Sequence, residues 1–290
     1  MKKAIGIIVM ILALVGSYQL ALAQKYQKVT THNLSFQKVD GSQVIRVYNI
    51  NGNVNVEGYN GKQAEVKSEK IIEANSEQDK DEGVSEMQLK TEKVGNTILV
   101  YVDAPFIHIR REDDHIHYNV RDHDRDFEYK FNFTIKVPRN TIVHASTINN
   151  GNVSVSDVQS VVNARNVNGS VTLKDVAGKT NASTVNGKIT ATYTSNPQSE
   201  STFRTVNGDI DAGFQKDLSA DLTFKTLNGD VYTSFDNAKI MPAKISKSHK
   251  RMGQVTKYKL SKNPPLRIGK GGPEFHFHTL NGNIYIREIK

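Results

Sequence analysis

Two aspartates follow Asn-Gly steps in neighbouring copies of a repeated ten-residue segment. Asp209 lies in FRTVNGDIDA (203–212) and Asp230 lies in FKTLNGDVYT (224–233). If these copies stack as adjacent coils, the two carboxylates would lie about 4.8 Å apart, with Asp211 on the strand beside them. Such a pair could bind Ca²⁺ or provide the acid and base that hydrolyse a glycosidic bond. One alternative for the function is therefore a β-helix-type carbohydrate-active enzyme.

The other copies of the segment favour a plainer role for these aspartates. The equivalent position is occupied in the other copies by Asn53, Asn152, Ser170, Lys188 and Asn283. This variation is typical of a solvent-facing turn, and Arg204 and Lys225 could neutralise the two acids. The chain has no Cys, which excludes a Cys nucleophile and a thiolate metal site, and it shows no Ser-His-Asp set, phosphate loop or zinc helix motif. We therefore expect no catalytic residues and no cofactor, and we predict that the protein is not an enzyme.

A histidine-rich segment over residues 106–129 offers side chains of the kind that bind metals. On a strand, His115 and His117 would point to one face, as two ligands of a divalent ion such as Zn²⁺ would. Arginines and acids alternate around them, and alternating charge usually marks an exposed segment. His115 and His117 are therefore candidate metal ligands, while a solvated hairpin is the favoured interpretation.

A second charged segment, residues 239–270, contains ten Lys or Arg residues and no acid. Its candidate binding residues are Lys244, Lys247, Lys250, Arg251, Lys257 and Lys259. This charge predicts contact with a polyanion, either anionic envelope lipid or acidic polysaccharide, and envelope proteins are further candidate partners. We expect no nucleic acid partner, because Tyr258 is the only aromatic residue in the segment that could stack on a base.

The N-terminus is typical of an export signal. Two lysines precede the apolar stretch 4–16, and Ala-Leu-Ala at 21–23 fits a cleavage site before Gln24. The stretch is shorter than the roughly 20 apolar residues that a membrane-spanning helix needs. We therefore predict a cleaved signal peptide over residues 1–23, no membrane span in the mature chain, and export to the periplasm, cell surface or exterior.

The Asn-Gly steps are part of a repeat that predicts the fold. They begin at Asn51, Asn150, Asn168, Asn186, Asn207, Asn228 and Asn281. An apolar residue lies three positions after each Asn and, except for Thr233, another lies five positions after it. This period of two predicts a strand with one buried face. Asn-Gly is also a hairpin signal. However, one unit recurs in the same orientation every 18 or 21 residues between 150 and 228, which favours stacked parallel coils. Stacking would also let each Asn side chain hydrogen-bond the next.

Three parts of the chain resemble the DUF4097 family of bacterial adhesin-like proteins. They are VYNINGNVNVEGYNGKQAEVKSEK (47–70), FTIKVPRNTIVHASTINNGNVSVSDV (133–158) and the serial TVNGDI-type units that follow. In this order they are similar to the opening coil with its aromatic corner (here Tyr59), the closing Val137-Pro138 strand and the coils of that family. The resemblance covers nearly all of the chain after residue 23, and it implies an exported β-solenoid with an adhesin-like role.

The predicted fold is all-β: a right-handed parallel β-solenoid, similar to a single-stranded β-helix, in one domain over residues 24–290. A β-rich excursion at about 65–140 separates the first and second coils, and another covers about 236–274. The predicted function is a non-enzymatic, exported cell-envelope or surface protein that serves as an adhesin-like binding or structural module. The alternatives are the carbohydrate-active enzyme and an envelope-stress signalling component.

Overall fold

The computed structural model describes residues 24–112, 115–120, 125–242, 246–249, 256–259 and 264–289. The predicted leader therefore lies outside the described residues. Most of the described chain belongs to two sheets, whose inward side chains form one buried cluster. The all-β prediction is confirmed, and many of the strand pairs are parallel, as the repeat predicted.

The spatial order of the strands in each sheet differs from the chain order in which they are numbered. The first sheet consists of β1 (Gln24–Ser35), β4 (Gln63–Ala74), β9 (Phe127–Pro138), β3 (Val54–Tyr59), β11 (Val153–Ser156), β13 (Val171–Val176), β15 (Ile189–Tyr193), β17 (Ile210–Phe214), β25 (Ile284–Glu288) and β19 (Val231–Thr233). The second sheet consists of β20 (Lys239–Ile240), β23 (Leu266–Ile268), β18 (Ala220–Lys225), β24 (Glu274–His278), β16 (Ser201–Arg204), β14 (Thr180–Ser183), β12 (Val162–Arg165), β10 (Ile142–Ser146), β2 (Val44–Tyr48), β6 (Thr97–Asp103) and β5 (Gln88–Val94).

The other elements in the described ranges are one helix and two antiparallel strand pairs. They are α1 (Glu77–Glu86), the pair β7 (Ile107–Glu112) and β8 (His115–Val120), and the pair β21 (Ser246–His249) and β22 (Thr256–Lys259). The segment that contains α1 is strongly polar. It forms a helix because the hydroxyl of Ser76 accepts a hydrogen bond from the backbone N–H of Asp79 at 3.1 Å and so caps the N-terminus.

From β10 to β19, successive strands alternate between the two sheets, and an Asn-Gly step connects each strand of the second sheet to the next strand of the first. Within each strand the side chains alternate between core and solvent, as in β16, where Phe203 is buried and Arg204 is exposed. The excursion at about 65–140 does not interrupt the stacking, because β2 and β3 pair in parallel with β10 and β11.

The Asn side chains form the predicted ladder along the turns. The carboxamide nitrogen of Asn186 donates to the side-chain oxygen of Asn168 at 2.9 Å, and that of Asn207 donates to Asn186 at 2.8 Å. At the first of these turns the ladder residue is Asn149, and the additional residue, Asn150, adopts the left-handed conformation with φ of 56°. The predicted hydrogen bonds between the Asn side chains of neighbouring coils are confirmed.

We call two consecutive strands, one in the second sheet and the next in the first sheet, a coil. The order of the last coils in space differs from their order in the sequence. The final coil, formed by β24 and β25, lies between the coil of β16 and β17 and the coil of β18 and β19. The two strands that come after β17, namely β18 and β19, form the outermost coil. The residues from 274 onward form the coil between it and the coil of β16 and β17. The last coil therefore contacts a coil on each side.

Candidate binding face of the second sheet

Three neighbouring strands of the second sheet, β16, β24 and β18, present a grid of polar side chains to solvent. We call this grid the C-terminal face; it consists of Glu200, Thr202, Arg204, Glu274, His276, His278, Asp221, Thr223 and Lys225. The strand register places Thr202, His276 and Thr223 in one row and Arg204, His278 and Lys225 in another. The intervening residues of the strands are buried in the core. The face therefore carries an acidic row, a His/Thr row and a basic row.

The basic row has two cations on either side of a neutral imidazole. Arg204 lies beside His278, with 3.5 Å between its Nη2 and the imidazole Nδ1. Burial, together with the charges of Lys225 and Arg204, lowers the pKa of His278 to about 4. At neutral pH the imidazole is therefore uncharged. Arg204 and Lys225 are exposed, and within the described residues neither forms an ion pair with an acid.

The same row continues away from the C-terminal face. In the strand register, Arg204 is opposite Ser183 of β14, and Ser183 is opposite Arg165 of β12. Adjacent strands lie about 4.8 Å apart, so Arg165, Arg204 and Lys225 lie along one line that runs across the strands. The positive charge is thus arranged along the stack of coils rather than at a single point.

The middle row is organised around His276. Its Nδ1 lies 2.6 Å from the hydroxyl oxygen of Thr223, and its Nε2 lies 3.4 Å from a carboxylate oxygen of Glu200 and 3.8 Å from one of Glu274. These contacts fix the imidazole and link the His/Thr row to the acidic row.

The acidic row is partly neutralised by its own partners. Two nitrogens of Arg267 on β23 donate to the carboxylate of Asp221 at 2.7 and 2.9 Å. Glu200 and Glu274 flank His276. Because the basic row lies four residues further along the strands, roughly 13 Å away, an extended anion could contact Arg204 and Lys225 while it avoids the acids. The face is therefore suited to an anionic ligand that lies across the strands.

The predicted carboxylate pair is not present, because the last coil separates the two aspartates. Asn283 lies between them: its backbone N–H donates to the Asp209 carboxylate at 2.7 Å, and its side-chain oxygen accepts from the backbone N–H of Asp230 at 2.9 Å. The two carboxylates are therefore two strand spacings apart. The expectation that they were neighbours was wrong, since it assumed that the coils stack in sequence order.

The third aspartate, Asp211, is engaged in ion pairs. Arg287 donates to it at 2.7 Å and Lys188 at 3.3 Å. Burial would raise the pKa of Asp211, but the hydrogen bonds from Arg287 and Lys188 hold it below its usual value. Nor does Arg204 neutralise Asp209, since it contacts His278 instead. Asp211 is thus a structural ion-pair partner, and Asp209 is a hydrogen-bond acceptor for the turn of the last coil.

The candidate metal ligands lie on the antiparallel pair β7–β8, as predicted, but the pair is not fully solvated, because Ile116 packs against Leu99 and Tyr101 of β6. His117 is exposed and opposite Arg110, while the side chain of His115 lies outside the described part of the chain. In the described ranges, no group of three or more His, Asp or Glu residues is arranged to hold a metal ion. Metal binding by His115 and His117 stays a prediction.

The predicted basic patch is only partly described. Lys247, Lys257 and Lys259 belong to the antiparallel pair β21 and β22, but their side chains are outside the described residues, as are Lys244, Lys250 and Arg251 entirely. The strands before and after this segment, β20 and β23, extend the second sheet next to β18. The basic excursion therefore begins and ends beside the C-terminal face.

Sequence reasoning missed the basic row, although the repeat contained its signal. Arg165, Arg204, Lys225 and His278 all lie three residues before the Asn of an Asn-Gly step. Aligning the copies by this position would have grouped them. What no spacing indicates is that His278 lies between Arg204 and Lys225, because this depends on the position of the last coil.

The similarities of this chain to known proteins are distant. No family model matches the chain, and no curated protein matches it. A solved "putative cell adhesion protein" from Clostridium sporogenes aligns with 92% of this chain and 100% of its own at 11% identity and a TM-score of 0.37. A "putative adhesin" from Bacteroides fragilis aligns with 90% of this chain and 97% of its own at 12% identity and a TM-score of 0.37. In the described residues, no helix has the length and apolar character to cross a membrane.

Proposed function

We propose that this protein is a non-enzymatic, exported cell-envelope protein that binds acidic polysaccharide in an adhesin-like role. The polymer would lie along the basic row and continue onto the excursion that carries Lys244, Lys247, Lys250, Arg251, Lys257 and Lys259. We further propose that the alternating strands wind as a right-handed β-solenoid, in one domain over residues 24–290, after removal of residues 1–23.

The observation that carries the proposal is the unpaired positive charge of the basic row. Arg204 and Lys225 are exposed and lie on either side of an imidazole that is neutral at pH 7. The two cations are two strand spacings apart, roughly 9.6 Å, so their positive potentials add along the row and an extended anion could neutralise both. The strand register already fixes the backbone spacing of Arg204 and Lys225, so ligand binding does not have to bring the two residues together.

The linear arrangement favours a polymer over a membrane surface. Arg165, Arg204 and Lys225 follow one line across parallel strands, so a chain with a charge on each unit could contact them in series. Glu200 and Glu274 lie on the same face and would be pressed against a flat anionic bilayer, which is unfavourable. Anionic vesicles therefore form a separate arm of the experiment that tests the proposal.

The experiment is co-sedimentation of residues 24–290 with polygalacturonate, neutral dextran and phosphatidylglycerol vesicles at increasing salt concentration. We expect salt-sensitive binding to polygalacturonate only. The double variant Arg204→Gln/Lys225→Gln should weaken it by about threefold to tenfold, since exposed charge pairs contribute up to about 1 kcal/mol each. Replacing the six excursion residues by Ser should weaken it further.

The matched control is Lys136→Gln/Lys174→Gln, which removes two exposed lysines from the first sheet. It should bind like the unmodified protein. Equal losses in both double variants would show that net charge alone governs binding, and would contradict the proposed surface. Tighter binding to the vesicles than to polygalacturonate would show that the ligand is anionic lipid and would contradict the assignment to polysaccharide. Release of reducing sugar from the polymer would contradict the non-enzymatic assignment.

A further inference from the structure

A cavity of about 400 Å³ lies at the opposite end of the molecule from the C-terminal face, between the first sheet, α1 and β5. One part of its wall is polar and includes Lys28, Thr30, Ser68 and Lys70. The rest is apolar and includes Met87 and Phe131, which are both buried. We call it the lysine cavity.

The two lysines of the cavity lie next to each other. Lys28 of β1 and Lys70 of β4 are directly opposite in an antiparallel pair, so their Cα atoms lie roughly 4.5–5.5 Å apart. Lys70 is half-buried, and burial together with the charge of Lys28 lowers its pKa. Two ammonium groups therefore share one concave surface.

The contacts of Lys70 leave part of its hydrogen-bonding capacity available. Its Nζ donates to the carbonyl oxygens of Val84 and Met87, both at 2.7 Å, at the C-terminal end of α1. An ammonium group has three protons, so one remains to point elsewhere. Lys28 forms no ion pair within the described residues.

The acids of the same two strands point away from the cavity. Side chains alternate between the faces of a strand, so Glu69 and Glu73 lie on the outer face. There Glu69 accepts hydrogen bonds from Gln27 and Asn132, and Glu73 pairs with Lys25 at 2.8 Å. No carboxylate is among the described residues that line the cavity. The local positive charge thus lacks a counter-ion from the described chain.

We propose that the lysine cavity binds a small amphiphilic anion: a carboxylate that contacts Lys28 and Lys70, with a short apolar tail over the partly buried Tyr26, Val84 and Leu89. The carboxylate supplies the missing counter-charge, and two lysine donors can each form a charge-assisted hydrogen bond to it. Leu89 is partly buried and packs against the core, so the tail would extend an existing apolar surface. This site is independent of the polysaccharide-binding row.

Isothermal titration calorimetry of residues 24–290 with octanoate tests the proposal, with 1-octanol and octylamine as neutral and cationic ligands of the same length. We expect saturable octanoate binding that is at least about tenfold tighter than that of either analogue. Lys28→Gln should weaken octanoate binding about tenfold, because it removes one charge-assisted hydrogen bond. Lys67→Gln, on the outer face of β4, should leave it unchanged.

A charge reversal separates binding from folding. Lys28→Glu would place a carboxylate beside Lys70, so it should abolish octanoate binding and leave the melting temperature equal or higher. Comparable binding of octanoate and 1-octanol, an equal loss in Lys28→Gln and Lys67→Gln, or no saturable binding of octanoate to the folded protein would each overturn the proposal.

Discussion

The middle coils and the C-terminal coils solve the same packing problem with different side chains. In the second sheet, one inward position holds Ala145, Ala164 and Ala182 in successive middle coils. The next three coils in space hold Phe203, Phe277 and Phe224 at that position. All six residues are buried. The strand pairing is thus the same in both regions, whereas the side chains at this core position are small in the middle coils and large in the C-terminal coils.

In two coils the first sheet holds an inward residue of complementary size: the Ala164 coil contains Leu173, whereas the Phe203 coil contains Ala212. The other coils do not follow this rule, because the Ala182 coil contains Ala191 and the Phe277 coil contains Ile286. In the C-terminal region the rings stack directly: the centroids of Phe203 and Phe277 are 4.9 Å apart, and those of Phe277 and Phe224 are 5.7 Å apart. Because interiors are close-packed, a large residue in one sheet leaves less room for the residue opposite it. The three rings form one continuous buried column across the C-terminal coils.

The largest expected effect comes from a glycine in the turn of the last coil. Gly282 has φ of 154°, and a Cβ atom added there would lie 2.0 Å from the carbonyl oxygen of Gly208. Gly282→Ala should therefore prevent the last coil from docking, with a loss of about 4 kcal/mol or more. Chemical denaturation followed by circular dichroism measures it. Lys188→Ala, at an exposed turn position of a middle coil, should lose less than about 1 kcal/mol, because it removes only an exposed ion pair with Asp211.

The next effect comes from the aromatic stack itself. Phe277→Ala should cost about 3–5 kcal/mol, because it removes a fully buried ring. Phe224→Ala should cost about 1 kcal/mol less, since Phe224 stacks on one ring of this column and Phe277 on two. Urea denaturation of both variants gives the two free energies of unfolding. Equal losses would show that burial alone, and not stacking order, accounts for the column.

A smaller effect should follow from placing an aromatic ring in the middle coils. Ala164→Phe should cost about 1–3 kcal/mol through overpacking, because Ala164 is fully buried in a core that also contains the buried Leu173. The double variant Ala164→Phe/Leu173→Ala should recover part of this loss. A double-mutant cycle measures the recovery. Purely additive losses would contradict the expected coupling between the two positions.

The same contrast shows what could be predicted from the sequence. The apolar alternation and the Asn-Gly steps predicted strands, parallel pairing and the Asn ladder, since these depend on contacts between equivalent residues of like segments. The position of the last coil depends on how Phe277 fits between Phe203 and Phe224, which no local pattern encodes. The prediction that Asp209 and Asp230 are neighbours was wrong for this reason. The basic row was not predicted, although Arg204 and Lys225 occupy equivalent positions in the repeat.

The smallest effect concerns the titration of His278, which exists in its present environment only because the last coil lies between Arg204 and Lys225. Its pKa in the folded protein is about 4, below the 6.5 of an ordinary histidine. The unfolded chain therefore binds more protons between these values, and the free energy of unfolding rises with pH across that window. The contribution of His278 to stability is fully present above pH 6.5 and is lost as the pH falls toward 4.

Lys225→Gln should raise the pKa of His278, because it removes a neighbouring positive charge but leaves the imidazole buried. The pKa should stay below 6.5, since burial is the larger cause. NMR titration of the imidazole resonances measures both values, and Lys174→Gln on the first sheet should leave the pKa of His278 unchanged. An unaltered pKa in Lys225→Gln would mean that Lys225 does not act on His278 across the strands. The basic row would then be a set of separate charges, which would remove the electrostatic basis for binding a polyanion along it.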